Sequence, residues 1–143
     1  MTQTPSDSSV SFADSIVSTC RPTLGDALRS VIYFTREDFD LLYVRQDLYG
    51  GDEEKARAVK AGLVESERTG FGPQEAYGRE THGESTPEFG EYEFTLRVFS
   101  EGFIGRVVVG DHGVIVTTDE LELSEFEEME VALGRILEAN WEA

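Results

Sequence analysis

The sequence predicts an α+β fold: a single five-stranded antiparallel sheet with helices on both faces, in the order helix, two strands, helix, three strands, helix. Three observations carry this reading. In residues 91–98, Tyr92, Phe94, Leu96 and Val98 alternate with Glu91, Glu93, Thr95 and Arg97, which defines a strand with unlike faces. Near the end, Ser124 stands three residues before Glu127 in capping-box spacing, and Phe126, Met129, Leu133, Ile136 and Leu137 fall on one helical face. Between these and the start, Val31, Ile32, Tyr33 and Phe34 are apolar in succession, as in a strand covered on both sides.

The elements follow in order. Residues 1–10, rich in Thr, Ser and Pro, are expected to form a disordered tail, and 11–143 a single domain, long enough to bury a core unaided. Ser11 and Asp14 open a first helix with Phe12, Ile16, Val17 and Cys20 at helical spacing, and Pro22 limits its run. Residues 30–35 and 39–45 are β-rich and flank the turn at Arg36, Glu37 and Asp38, giving a hairpin. Gly50, Gly51 and Asp52 break the pattern and cap a second helix, with Glu53 and Glu54 favouring its positive end. Ala56, Val59 and Leu63 are its expected apolar stripe. Residues 103–109 and 114–118 are the last two strands, joined by a turn from Gly110 to Gly113. The second helix is expected on one face of the sheet and the terminal helices on the other.

Residues 69–90 carry five glycines and two prolines, together with Phe71, Tyr77 and Phe89. Long loops in compact domains tend to be binding elements, so this one is expected to bind, held on a rigid sheet.

The formal charge is −17, with ten arginines and only two lysines, Lys55 and Lys60. At 1 M salt the reach of surface charge shrinks to about 3 Å, so such self-repulsion is tolerable in brine, where carboxylates also keep a protein soluble. Lysine's apolar stem is disfavoured under the same pressure. The expectation is a halophilic, acidic, cytoplasmic protein. Hydrophobic residues at 39% and aromatics at 10% exclude a disordered acidic chain. The charge disfavours nucleic acid. No apolar run approaches the roughly 18 residues of a membrane span, and Met1 to Ser11 does not resemble a signal peptide. The single Cys20 excludes an internal disulfide, fits a reducing compartment and is expected to be a buried, inert thiol.

The element order resembles the roadblock/longin-type, profilin-like layout of small dimeric adaptor domains, a likeness of order alone. The segments LRSVIYFTREDFDLLYVRQDL (28–48) and GEYEFTLRVFSEGFIGRVVVGDHGVIVTTD (90–119), with the closing amphipathic helix, are similar to a family of small acidic haloarchaeal proteins of unknown function. The likeness spans about residues 11–138. It implies a haloarchaeal source and a shared fold, and supplies no catalytic residue to map.

Chemistry is sparse. No P-loop, dinucleotide-type glycine pattern, HExxH or GxSxG occurs. Asp111 and His112, with Asp119 and with His82 of the long loop, suggest an acid–base or metal site, but adjacent turn residues rarely converge on one ion, so a structural role is expected. The seven carboxylates between Asp119 and Glu130 lack calcium-loop spacing and read as solvated surface. No catalytic residue, metal or cofactor is assigned. The remaining constellation is arginine: Arg29, Arg45, Arg97 and Arg106 lie in or at the ends of four strands. If Arg45, Arg97 and Arg106 converge with Tyr43, Phe71 and Tyr77, they form an aromatic-edged site for a small anion. Otherwise each pairs with a carboxylate such as Asp40, Asp47 or Glu93. The leading functional expectation is a non-enzymatic interaction or regulatory domain, a homodimer or the binder of a protein partner. The alternative is an anion-sensing domain using these arginines and the 69–90 loop.

Overall fold

The computed structural model describes residues 5–68 and 93–139. Five strands form one antiparallel sheet in the order β2-β1-β5-β4-β3: β1 (Leu28–Thr35), β2 (Phe39–Val44), β3 (Thr95–Phe99), β4 (Gly102–Val109) and β5 (His112–Thr118). Helices α1 (Pro5–Leu24) and α3 (Leu123–Ala139) pack together on one face, and α2 (Glu53–Arg68) covers the other. This is the expected α+β architecture, including which helix lies on which side.

Two cores result, because β1 and β5 are apolar on both faces. Val31, Val107, Val114 and Val116 join Ile16, Cys20, Phe126 and Leu133 under α1 and α3. Ile32, Phe34, Val108 and Ile115 meet Val64 under α2. β5 is buried from end to end, as the central strand of such a sheet must be. Gly113 permits its tight packing: a Cβ there would stand 2.6 Å from the Val107 carbonyl oxygen. Gly105 likewise leaves room for the Phe126 ring, which a Cβ would meet at 2.4 Å.

Several boundaries differ from expectation. The first helix begins at Pro5, inside the stretch read as tail, where a proline suits the first helical position because its missing N–H would have had no partner. Residues 1–4 lie outside the described residues. Pro22 falls within that helix, near its end. Ser124 sits in the first turn of α3 rather than capping it, because the Phe126 N–H bonds the Glu122 carbonyl at 2.9 Å. Gly110 takes a left-handed φ of 63° in a two-residue turn, so His112 and Gly113 already belong to β5. The β1–β2 turn is closed as expected, with Thr35 N–H to the Asp38 carbonyl at 2.9 Å.

The buried stripe of α2 is the larger correction. It runs through Ala56, Lys60, Val64 and Glu67, while Val59 is exposed. Two charged residues therefore occupy the sheet-facing side. The cap at Asp52 does form, its Oδ1 accepting from the N–H groups of Glu54 at 3.0 Å and Lys55 at 3.1 Å.

Candidate functional site

The strand arginines do not gather into one patch. Arg97 and Arg106 come together, since β3 and β4 are paired and both side chains point to the α2 face. There they meet Glu67 from the last turn of α2. Arg97 Nε donates to Oε2 at 2.7 Å, and Arg106 Nη1 donates to Oε1 at 3.2 Å and to the Glu67 carbonyl at 3.0 Å. Arg106 Nη2 also donates to Thr95 Oγ1 at 2.7 Å. The expected partner Glu93 is replaced by Glu67, a residue of a distant element.

Arg45 belongs to a separate network beyond the end of β2. Its Nε donates to Asp47 at 2.7 Å and its Nη1 to Asp119 at 2.8 Å, while Arg29 reaches the other Asp119 oxygen at 2.9 Å. Hydrogen bonds from Arg29 and Arg45 hold the Asp119 carboxyl below the usual carboxylate range, and Arg45 does the same for Asp47. These contacts tie β1, β2 and β5 together at one end of the sheet. The pairing of Arg45 with Asp47 is the carboxylate alternative weighed above.

Tyr43 does not share a face with Leu41. The β1–β2 register shifts between Val31 and Ile32, so Val31 pairs with Tyr43 and Ile32 with Leu41, leaving Leu42 as the extra residue. Tyr43 therefore packs towards the α1 side, with the Arg21 guanidinium 4.9 Å from its ring centroid. Phe71, Tyr77, Phe89 and His82, with the whole 69–90 loop, lie outside the described residues.

Asp111 and His112 take structural positions. Asp111 accepts from Arg36 Nε at 2.8 Å on the surface. His112 is buried, its Nε2 donating to the Leu137 carbonyl at 3.0 Å and its Nδ1 accepting from the Tyr33 hydroxyl at 2.8 Å. Burial lowers the imidazole's pKa. Asp119 lies at the far end of β5, roughly 20 Å away by strand rise, so the three do not converge. Cys20 is fully buried, and desolvation pushes its thiol pKa up to about 12, which makes it inert as expected. Among the described residues no group of three or more His, Cys, Asp or Glu is placed to hold a metal ion.

Two surfaces remain with functional potential. One is the outer edge of β3, where no described strand pairs. Leu96 packs into the α1–α3 core, so Val98 lies on that face and Phe99 on the α2 face. Both are exposed, Val98 by 69% and Phe99 by 55%. At the other edge, β2 is partly covered by α2, whose Arg57 lies over the Phe39 ring at 4.2 Å and donates to the Phe39 carbonyl at 3.2 Å. The second surface is a cleft of about 380 Å³ between α2 and the β3–β4 hairpin, lined in part by Lys60, Leu63 and Phe99.

Sequence reasoning missed Glu67 and Lys60. Their signal was present as a spacing: 56, 60, 64 and 67 form one helical face, but its charges made 56, 59 and 63 look like the better stripe.

Among solved structures, the fold is similar to that of MglB from Myxococcus xanthus, with a TM-score of 0.50 and 14% identity over 92% of this chain and 93% of that one. That likeness is one of fold, and it agrees with the roadblock/longin-type element order. The gliding protein MglB of Thermus thermophilus gives a TM-score of 0.49 and 14% identity, covering 90% of this chain and 92% of that one. Comparison with curated proteins gives no match. Residues 14–138 match the model of a family described as Domain of unknown function (DUF7522), and the chain belongs to that family.

Proposed function

We propose that this chain is a non-enzymatic interaction or regulatory domain of a salt-rich cytosol, and that it works as a homodimer joined along β3. The observation that carries the reading is the edge itself: two large apolar side chains, Val98 and Phe99, stand exposed on an outer strand with no described strand beside it. Monomeric proteins protect sheet edges with charge, bulges or covering elements. The β2 edge shows such cover in Arg57, whereas β3 ends in apolar residues. Antiparallel pairing of two β3 strands about a two-fold axis would extend the sheet across both copies and cover Val98 and Phe99 on each, the self-complementary geometry that homodimers use. The roadblock-type fold supports the same view.

Chemical cross-linking tests it. Val98→Cys supplies an exposed thiol, while the buried Cys20 stays unreactive. A short bis-maleimide should join two copies of the Val98→Cys chain at high yield in molar salt and leave the parent chain unlinked. Failure of the variant to cross-link, with its thiol shown to be accessible, would rule out pairing along β3.

A further inference from the structure

We infer that the outer edge of β2, with the cleft between it and the start of α2, receives an extended basic segment of a partner protein as an added strand. The inference stands apart from pairing along β3, which lies at the opposite edge of the sheet.

β2 is the last strand on its side of the sheet. Thr35 N–H bonds the Asp38 carbonyl where the β1–β2 turn closes. In an antiparallel pair the backbone groups of successive residues point alternately towards and away from the partner strand. Phe39 therefore turns its carbonyl outward, and Arg57 donates to it at 3.2 Å. Leu41, two residues on, turns its N–H and carbonyl the same way. Arg57 covers only the Phe39 end of this edge. From Asp40 to Gln46 every residue lines one cleft of about 890 Å³, whose far wall is supplied by residues between Leu48 and Arg57. A cleft over one face of a strand would touch alternate residues only. This one is lined by Leu41, packed on the α2 side, and by Leu42 and Tyr43, packed on the α1 side, so it follows the backbone edge.

The size suits a single strand. Neighbouring strands lie about 4.8 Å apart and packed layers about 10 Å apart, so a strand about 20 Å long occupies about 950 Å³. That length is the reach of β2 itself, which has six residues.

The charge selects which strand enters. Asp40, Glu53 and Glu54 line the cleft, are exposed and form no ion pair among the described residues. Of the arginines on the lining, Arg45 is matched by Asp47 and Asp119, and Arg57 is committed to the Phe39 ring and carbonyl. The unmatched charge is therefore negative. A second β2 would bring the same carboxylates face to face, which repels. A segment carrying lysine or arginine meets them at contact range, within even the roughly 3 Å reach that charge keeps at 1 M salt. Backbone bonds along a strand edge supply affinity, and the side chains around it supply choice. Leu41, Leu48 and Ala56 on the lining accept aliphatic side chains beside the basic ones.

The test is a titration of the full ¹⁵N-labelled chain in molar potassium chloride, followed by amide resonances. The probe is a capped peptide of alternating lysine and valine, as long as β2. Saturating shifts should cluster from Leu41 to Val44 and from Glu53 to Ala56. Methylating every backbone nitrogen of the peptide keeps its charge but removes its strand hydrogen bonds, and should weaken the midpoint about tenfold. Replacing its lysines by glutamates should abolish binding. The double variant Glu53→Gln, Glu54→Gln, changed only at exposed positions, should weaken the midpoint about threefold. Shifts that do not saturate, shifts centred on β3, equal binding of the methylated peptide, or a midpoint unmoved by both charge changes would overturn the assignment.

Discussion

Glu67 and Arg106 face each other across the interface of α2 with the sheet, their side chains only 3% and 8% exposed, at an Oε1–Nη1 distance of 3.2 Å. Arg97 completes the arrangement from β3 at 2.7 Å. Removing one partner of a buried pair strands the other, which costs far more than losing a surface ion pair. Glu67→Ala is therefore expected to destabilise the domain by about 3 kcal/mol. Arg97→Ala, at the exposed end, should cost less than about 1 kcal/mol. Denaturant unfolding at constant salt measures both, and equal losses would show that Glu67 and Arg106 are not the buried centre of the network.

His112 links β1, β5 and the end of α3 through Tyr33 and the Leu137 carbonyl, and burial lowers its pKa below the ordinary 6.5. The unfolded chain then binds a proton more readily than the folded one. Its contribution is fully present above about pH 6.5 and is lost as pH falls towards the depressed native value, after which the loss levels off. The carboxyls of Asp47 and Asp119, also lowered, add their own loss only below their ordinary 3.8. Melting temperatures between pH 7.5 and about pH 5 should fall for the parent chain. His112→Gln should start lower and show a flatter slope over that window. An unchanged slope in the variant would show that another group dominates the acid response.

The charge of −17 predicts salt-dependent folding. Lowering potassium chloride from about 1 M to about 0.1 M lengthens the screening distance from about 3 Å to about 10 Å. Repulsion should grow most along the exposed side of α3, where Glu125, Glu127 and Glu128 are solvent-facing, and around Glu130, whose pKa is raised by burial and by its neighbours Glu93 and Glu127. A drop in the melting temperature is expected. A melting temperature equal at the two salt levels would contradict the halophile reading.

Most of the fold was legible in the sequence because it rests on local patterns. Paired apolar faces at Val31 and Ile32 and the stripe from Phe126 to Leu137 each encode an element and its buried side, and the alternation through Leu96 and Val98 encodes a strand, though Val98 itself stands exposed. Register and partnership were not legible. The bulge at Leu42 depends on how β2 meets β1, and it places Tyr43 and Leu41 on opposite faces of the sheet. The pairing of Arg106 with Glu67 joins residues that only the tertiary fold brings together. Lys60 was hidden for a different reason. A hydrophobic pattern treats a lysine as solvent-facing, so one whose stem packs on the sheet-facing side of a helix is hard for such a pattern to find.

The solution mass of the domain in molar potassium chloride tests the central claim, association along β3, most directly. Light scattering across a range of protein concentrations should give the mass of two copies. Val98→Lys should give that of one copy while its far-ultraviolet circular dichroism and melting temperature stay close to the parent's, because Val98 is an exposed side chain. A parent chain that remains monomeric throughout, or a Val98→Lys variant that stays fully dimeric, would contradict it.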